Sequence, residues 1–188
     1  GLADRQVSDA DVATDHAGLE FSQQLQEHLR DQGHEVVDHG PAEYDALDDY
    51  PSFCINAAQA VANDWANGSK SLGVVFGGSG NGEQIAANKV TGVRAALAWS
   101  DATAQLAREH NNANVISIGA RQHEIVDVLR FIDICIAEPF PGEERHLRRI
   151  SQLAEYEQTG KIAGKSMLGA VGTVVPPMVE SETPAGNA

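Results

Sequence analysis

Apolar residues recur along this chain with two alternating periods. Phe21, Leu25 and Leu29 fall at helical spacing, and the short run Glu35-Val36-Val37 that follows reads as a strand. Pro51 sits where a helix opens, and Phe53, Ala57, Ala60 and Val61 then supply its buried stripe. Leu72 to Phe76 is a continuous apolar strand, Val115 to Gly119 reads as another strand, and Arg94 to Trp99 forms a third between them. Helical patterns cover the residues after Glu83, Asp101 to Glu109, Glu124 to Ala137, and Glu143 to Glu157. Strands that alternate with helices predict an α/β fold: a Rossmann-like three-layer sandwich with a five-stranded parallel sheet flanked by helices. Its functional loops belong at the carboxyl ends of the strands.

Two stretches fit this pattern poorly. A first strand is expected near Val7 to Thr14, yet Asp9 and Asp11 interrupt a segment that should be apolar if buried on both faces. Beyond Gly160 the chain turns to glycine, proline, small and polar residues, including Pro176-Pro177 and Glu180-Ser181-Glu182-Thr183-Pro184. This composition predicts a mobile tail over 159–188 after one domain over 1–158.

Composition narrows the function. Thirteen Lys and Arg against 27 Asp and Glu give a formal charge of −14, which argues against nucleic acid or an anionic membrane as the main partner. An anionic ligand must then be held by a local cluster of positive charge. Cys54 and Cys135 each lie in an apolar run and read as free core thiols. No apolar stretch has the length of a membrane span, and the first residues lack the pattern of a signal peptide, so a cytoplasmic protein is expected.

The most informative local feature is Phe76-Gly77-Gly78-Ser79-Gly80-Asn81-Gly82-Glu83, between the strand at Leu72 and a helix. Four glycines in six residues allow a tight turn and leave N–H groups uncovered, which suits an oxyanion or a phosphate. No Gly-Lys-Ser/Thr closes it as a Walker loop, and Glu83 stands where the dinucleotide fingerprint needs its last glycine. Taken alone, Glu83 is as well explained as a first-turn acid favoured by the helix dipole.

Four other groupings have chemistry to offer. Asp15-His16-Ala17-Gly18 places an acid and an imidazole at the end of the first strand, although a plain cap is the stronger reading of Asp15 taken alone. Arg108 to Asn114 forms the loop before the fifth strand, where His110 can exchange protons near neutral pH. Arg121 follows that strand. Arg145 and Arg149 stand one helical turn apart, flanking His146, and share a face able to hold a phosphate; pairing with Glu143 and Glu144 is the plainer alternative.

Together, these segments resemble ribose-5-phosphate isomerase B. The match rests on Asp15-His16-Ala17-Gly18, Tyr44-Asp45, Asp48-Asp49-Tyr50-Pro51, Gly77 to Glu83, Ala86-Ala87-Asn88-Lys89, Arg108-Glu109-His110-Asn111 and Arg145-His146-Leu147-Arg148-Arg149, across roughly Val12 to Gln158. It is closest to the actinobacterial branch, in which Glu83 supplies the base; another branch carries a catalytic cysteine at the position of Gly77. The resemblance implies interconversion of ribose 5-phosphate and ribulose 5-phosphate, a pentose phosphate pathway step, through a cis-enediolate and without metal or organic cofactor. By the same resemblance, Glu83 is the C2 base, and His110 is the proton donor in ring opening. Asp15 and His16 contact the sugar, and Asn111 orients it. Ser79 and the N–H groups of Gly78, Gly80, Asn81 and Gly82 hold the developing oxyanion. Arg121, Arg145 and Arg149, with His146, bind the phosphate. A homodimer or higher assembly with a shared site is also implied. Two alternatives stay open: a related isomerase acting on allose 6-phosphate, galactose 6-phosphate or a tetrose phosphate, and a noncatalytic phosphate-sensing α/β module.

Overall fold

The computed structural model describes residues 9–41 and 49–166. Residues 1–8, the Tyr44-Asp45 and Asp48 part of the motif, and the tail from 167 onward lie outside the described residues. The chain divides into two compact units, Gly1–Ile150 and Ser151–Ala188.

In the first unit the strands are β1 (Asp9–Thr14), β2 (Glu35–Asp38), β3 (Leu72–Gly77), β4 (Ala95–Leu97) and β5 (Val115–Gly119). They form one parallel sheet in the order β2-β1-β3-β5-β4. The helices are α1 (Leu19–Asp31), α2 (Tyr50–Ala66), α3 (Asn81–Ala87), α4 (Asp101–Glu109), α5 (Ile125–Ala137) and the start of α6 (Glu144–Thr159).

Alternate strand residues serve two cores, as a sheet buried on both faces requires. Val12, Val74, Phe76, Ile116 and Ile118 pack with Leu25 and Leu29 of α1, Ala104 and Ala107 of α4, and Phe131 and Ile132 of α5. Ala13, Val75 and Val115 pack with Cys54, Ala57 and Val61 of α2 and Ala86 and Ala87 of α3. The connection after β1 therefore runs to one face and the connection after β3 to the other. Their divergence opens a crevice beyond the carboxyl ends of these neighbouring strands.

The polar first strand forms despite its carboxylates. Asp11 is 4% exposed, and its Oδ1 lies 2.7 Å from Nε2 of His39. The turn carrying His39 is also tied to β1 by backbone bonds from His39 N–H to the Val12 carbonyl and from Thr14 N–H to the Gly40 carbonyl, at 2.8 and 3.0 Å. A buried carboxylate is tolerated when it is paired and hydrogen-bonded. His39 supplies that partner from outside the strand.

In the second unit, α6 ends and the chain forms a two-stranded antiparallel hairpin of β6 (Lys161–Ile162) and β7 (Lys165–Ser166). The Glu155 carboxylate accepts N–H bonds from Ala163 and Gly164 at its tip, at 2.9 and 3.1 Å. These bonds hold the Glu155 carboxyl below its ordinary proton affinity. Compositional reading assigned this stretch to the tail because two-residue strands are too short to show a period. No described helix is long and apolar enough to cross a membrane.

Candidate active site

The crevice between β1 and β3 is built by the glycine turn on one side and Asp15 on the other. The Asp15 N–H donates to the Phe76 carbonyl at 2.9 Å, which ties the ends of the two strands together. The Asp15 carboxylate accepts from the N–H groups of Ala17 and Gly18 at 2.7 and 3.1 Å, capping the short 3-10 turn His16–Gly18. The expected cap is present, and it holds the acid at the strand's end.

The turn itself is strapped to β5. The carbonyls of Gly77 and Gly78 accept from the N–H groups of Ala120 and Arg121 at 2.7 and 3.2 Å, and that of Gly80 accepts from Ser117 Oγ at 2.7 Å. In a trans peptide the N–H points opposite to the C=O. Anchoring the Gly77 and Gly78 carbonyls towards β5 therefore turns the N–H groups of Gly78 and Ser79 towards the crevice on the β1 side. Gly80 takes φ of +81°, a left-handed conformation that costs glycine little. Ser79 Oγ accepts from the Asn81 N–H at 3.3 Å.

Glu83, in the first turn of α3, is 4% exposed, with its carboxyl folded back over Gly77. A Cβ at Gly77 would coincide with the Glu83 carboxyl atoms. Burial raises the proton affinity of this carboxyl, its own backbone N–H lowers it by a smaller amount, and the charge of Asp15 raises it again; the net shift is upward. The pair also lies near Cys54 on α2. Burial first, and then Glu83 and Asp15, push that thiol up to about 12, so Cys54 is an inert wall of the site.

Two further side chains reach the turn. Arg121 lies over Gly78, with Nη1 3.4 Å from where a side chain there would begin. The Tyr50 hydroxyl stands 2.5 Å from the corresponding point at Gly82. In the sequence Tyr50 enters only as part of the motif Asp48-Asp49-Tyr50-Pro51, with no role of its own. A separate cleft of about 340 Å³ flanks the turn on the β4 side, lined by Ser79, Asn81, Leu97, Trp99, Gly119 and Gln122; Glu83 does not line it.

The remaining expected site residues form a second cluster. His110, at the end of α4, stacks on His146 of α6, with ring centroids 4.3 Å apart and planes 17° from parallel. His146 is 5% exposed, and its Nε2 has no hydrogen-bond partner among the described residues. Arg145 pairs with Glu143 at 2.9 Å, and Arg149 is close enough to lower the proton affinity of His146. The exposed Asn111 shares the loop. Its carbonyl accepts from Arg94 Nε at 3.0 Å. Arg108, 2% exposed, braces that loop from beneath through bonds to the Ala113 carbonyl and Asn112 Oδ1. Buried there, it is a structural cation rather than an anion ligand.

The two clusters lie at opposite ends of the sheet. Gly77, the seat of Glu83, pairs with Gly119 at the carboxyl end of β5, whereas Val115, which follows the His110 loop, begins that strand and pairs with Gly73. Four strand steps separate them, roughly 13 Å at 3.3 Å per residue, before the length of the loop is added. Within one chain the structure therefore groups Asp15, the glycine turn, Glu83 and Arg121, and places His110, Asn111, Arg145, His146 and Arg149 elsewhere. Among the described residues, no group of three or more His, Cys, Asp or Glu is placed to hold a metal ion.

Residues 11–153 match the family model described as Ribose/Galactose Isomerase. Ribose-5-phosphate isomerase B of Mycolicibacterium paratuberculosis is 53% identical over 161 residues, which is 86% of this chain and 98% of its own. Its counterpart in Mycobacterium tuberculosis H37Rv is 55% identical over 148 residues, covering 79% of this chain and 89% of its own. Among solved structures, ribose-5-phosphate isomerase B of Mycoplasma genitalium with bound ribulose-5-phosphate superposes with a TM-score of 0.76 at 40% identity, over 80% of this chain and 97% of that one.

Proposed function

Because this chain belongs to the ribose/galactose isomerase family, we propose that it interconverts ribose 5-phosphate and ribulose 5-phosphate by proton transfer between C2 and C1. The observation that carries this reading is the buried Glu83 carboxyl, seated on Gly77 beside a turn whose amides face the same crevice.

The reaction begins with the furanose closed. His110 gives a proton to the ring oxygen as its bond to C1 breaks, and Asp15 accepts the proton leaving the C1 hydroxyl. Glu83 then takes the C2 proton, and the electron pair moves through C1 onto O1 to form the cis-enediolate. The O2 proton passes to O1, and Glu83 returns its proton to C1. A glutamate is a better base here than in water because burial has raised its proton affinity. The amides of the glycine turn stabilise the enediolate oxygen, and each such donor is worth roughly 3–4 kcal/mol in a transition state. His16 and Asn111 orient the sugar, while Arg121, Arg145, Arg149 and His146 hold the phosphate.

The separation of the two clusters supports a homodimer in which His110, Asn111, Arg145, His146 and Arg149 of one copy complete the crevice of the other. A two-fold pair of chains forms two such sites.

Turnover of ribose 5-phosphate in deuterated water tests the reading. Solvent deuterium should enter C2 in the wild type, and Glu83→Gln should abolish this exchange while inorganic phosphate still binds. Exchange that persists in the variant would assign the base elsewhere.

A further inference from the structure

The His110–His146 stack has features that phosphate binding alone does not require. The rings are nearly parallel at 4.3 Å, so two imidazolium charges there would repel strongly. Burial, Arg145, His110 and Arg149 all lower the proton affinity of His146, and of its charged neighbours only Glu143 raises it. Glu109 lies 3.9 Å from His110 Nε2.

Glu143 is placed to switch partners. Its Oε2 lies 2.9 Å from Arg145 Nε and 3.9 Å from His146 Nε2, and that nitrogen has no other partner among the described residues. An anion arriving at Arg145 and Arg149 competes for the guanidinium that now holds Glu143. It cancels the positive charge that disfavours imidazolium, and it leaves the Glu143 oxygen beside the unpartnered ring nitrogen. Both changes favour a proton on the stack.

We propose that His110 and His146 form an anion-coupled proton acceptor, in which a dianion bound by Arg145 and Arg149 causes the stack to take up one shared proton from solvent. His146 is then a positioning residue that acts through His110. The role of that proton in catalysis rests on the isomerase reading: the substrate's own phosphate loads the acid that opens its ring. Thermodynamic reciprocity requires the anion to bind more tightly as pH falls through the imidazole range.

Inorganic sulfate is the suitable probe, because it is a dianion with no titrating proton near neutral pH. Calorimetric titration of the full chain with sulfate near pH 7, in buffers of different ionisation enthalpy, gives the protons exchanged per anion bound. Uptake of about 0.3–1 proton per chain is expected for a shared imidazole proton. His146→Gln should still bind sulfate through Arg145 and Arg149, though more weakly, and lose more than half of the uptake per anion bound, and Glu143→Gln should also reduce it. Nitrogen NMR of the histidine rings in the wild type is an independent readout, in which sulfate should shift His110 and His146 together towards imidazolium. Sulfate binding without proton uptake, equal uptake in His146→Gln, unmoved ring nitrogens, or the absence of saturable sulfate binding would each overturn the proposal. Ribose 5-phosphate turnover by the wild type is scored separately, so loss of the coupling leaves the isomerase reading intact.

Discussion

The point at which a side chain of Gly77 would begin is already filled by the carboxyl group of Glu83. Each of the two positions is intelligible only through the other. The glycine is the floor on which the carboxyl rests, and the carboxyl is held inside because nothing else occupies that floor.

Gly77→Ala should therefore expel the carboxyl from its seat and lower kcat by about 10²–10⁴-fold, the usual worth of a positioned base. Circular dichroism should stay that of the wild type. Gly77→Cys should be impaired in the same way, whereas Gly77→Cys with Glu83→Ala removes the clash and puts a thiol where the carboxyl was. The double variant should exceed both single variants in kcat, with its acid limb moved towards the thiol range of about 8–9. Steady-state rates across pH decide the matter.

The raised proton affinity of Glu83 predicts two pH effects. The base must be ionised to act, so the acid limb of kcat/KM should lie above the ordinary glutamate value of 4.5. The native state also binds this proton more tightly than the unfolded chain does. Stability contributed by the protonated carboxyl is thus complete below the ordinary value and is lost as pH rises through the native one. Glu83→Gln should be more thermostable than the wild type above that window, with the difference shrinking below it. Melting curves at several pH values test this.

If one chain completes another's site, two inactive variants can rescue each other. Glu83→Gln keeps the His110 cluster, and Arg145→Ala keeps the base. Random exchange makes half the dimers mixed, and each of those holds one intact site of two, so recovery should approach about a quarter of wild-type activity. No recovery in dimers verified as mixed by mass spectrometry would rule out a shared site.

The Asp11–His39 pair has side chains only 6% and 18% exposed. Asp11→Ala or His39→Ala leaves the other group buried without its partner and should cost about 1–3 kcal/mol. Replacing both with alanine should cost less than the sum of the single changes. Denaturant unfolding of the four proteins closes the cycle.

Where the pattern of residues is long or continuous, the sequence reads well. The apolar run Leu72 to Phe76 and the alternating helices implied the parallel sheet, whereas the order of its strands came only with their pairing. Asp11 misleads because its partner, His39, lies 28 residues away, and no local period reports such a pair. The same holds for the His110–His146 stack, whose members come from separate helices. Arg108 and Arg121 look alike in sequence, yet the first is buried beneath a loop and the second lies over Gly78. The spread of His110 and Glu83 to opposite sheet ends became visible only with the strand register.

That spread has a consequence for how the protein behaves when scarce. If two copies complete each other's crevices as proposed, a solitary copy carries both halves of its toolkit at different ends of the sheet, and its rate on dilution should fall with the square of concentration once pairs come apart. Under that reading abundance itself would act as a control, because newly made chains would stay silent until they meet.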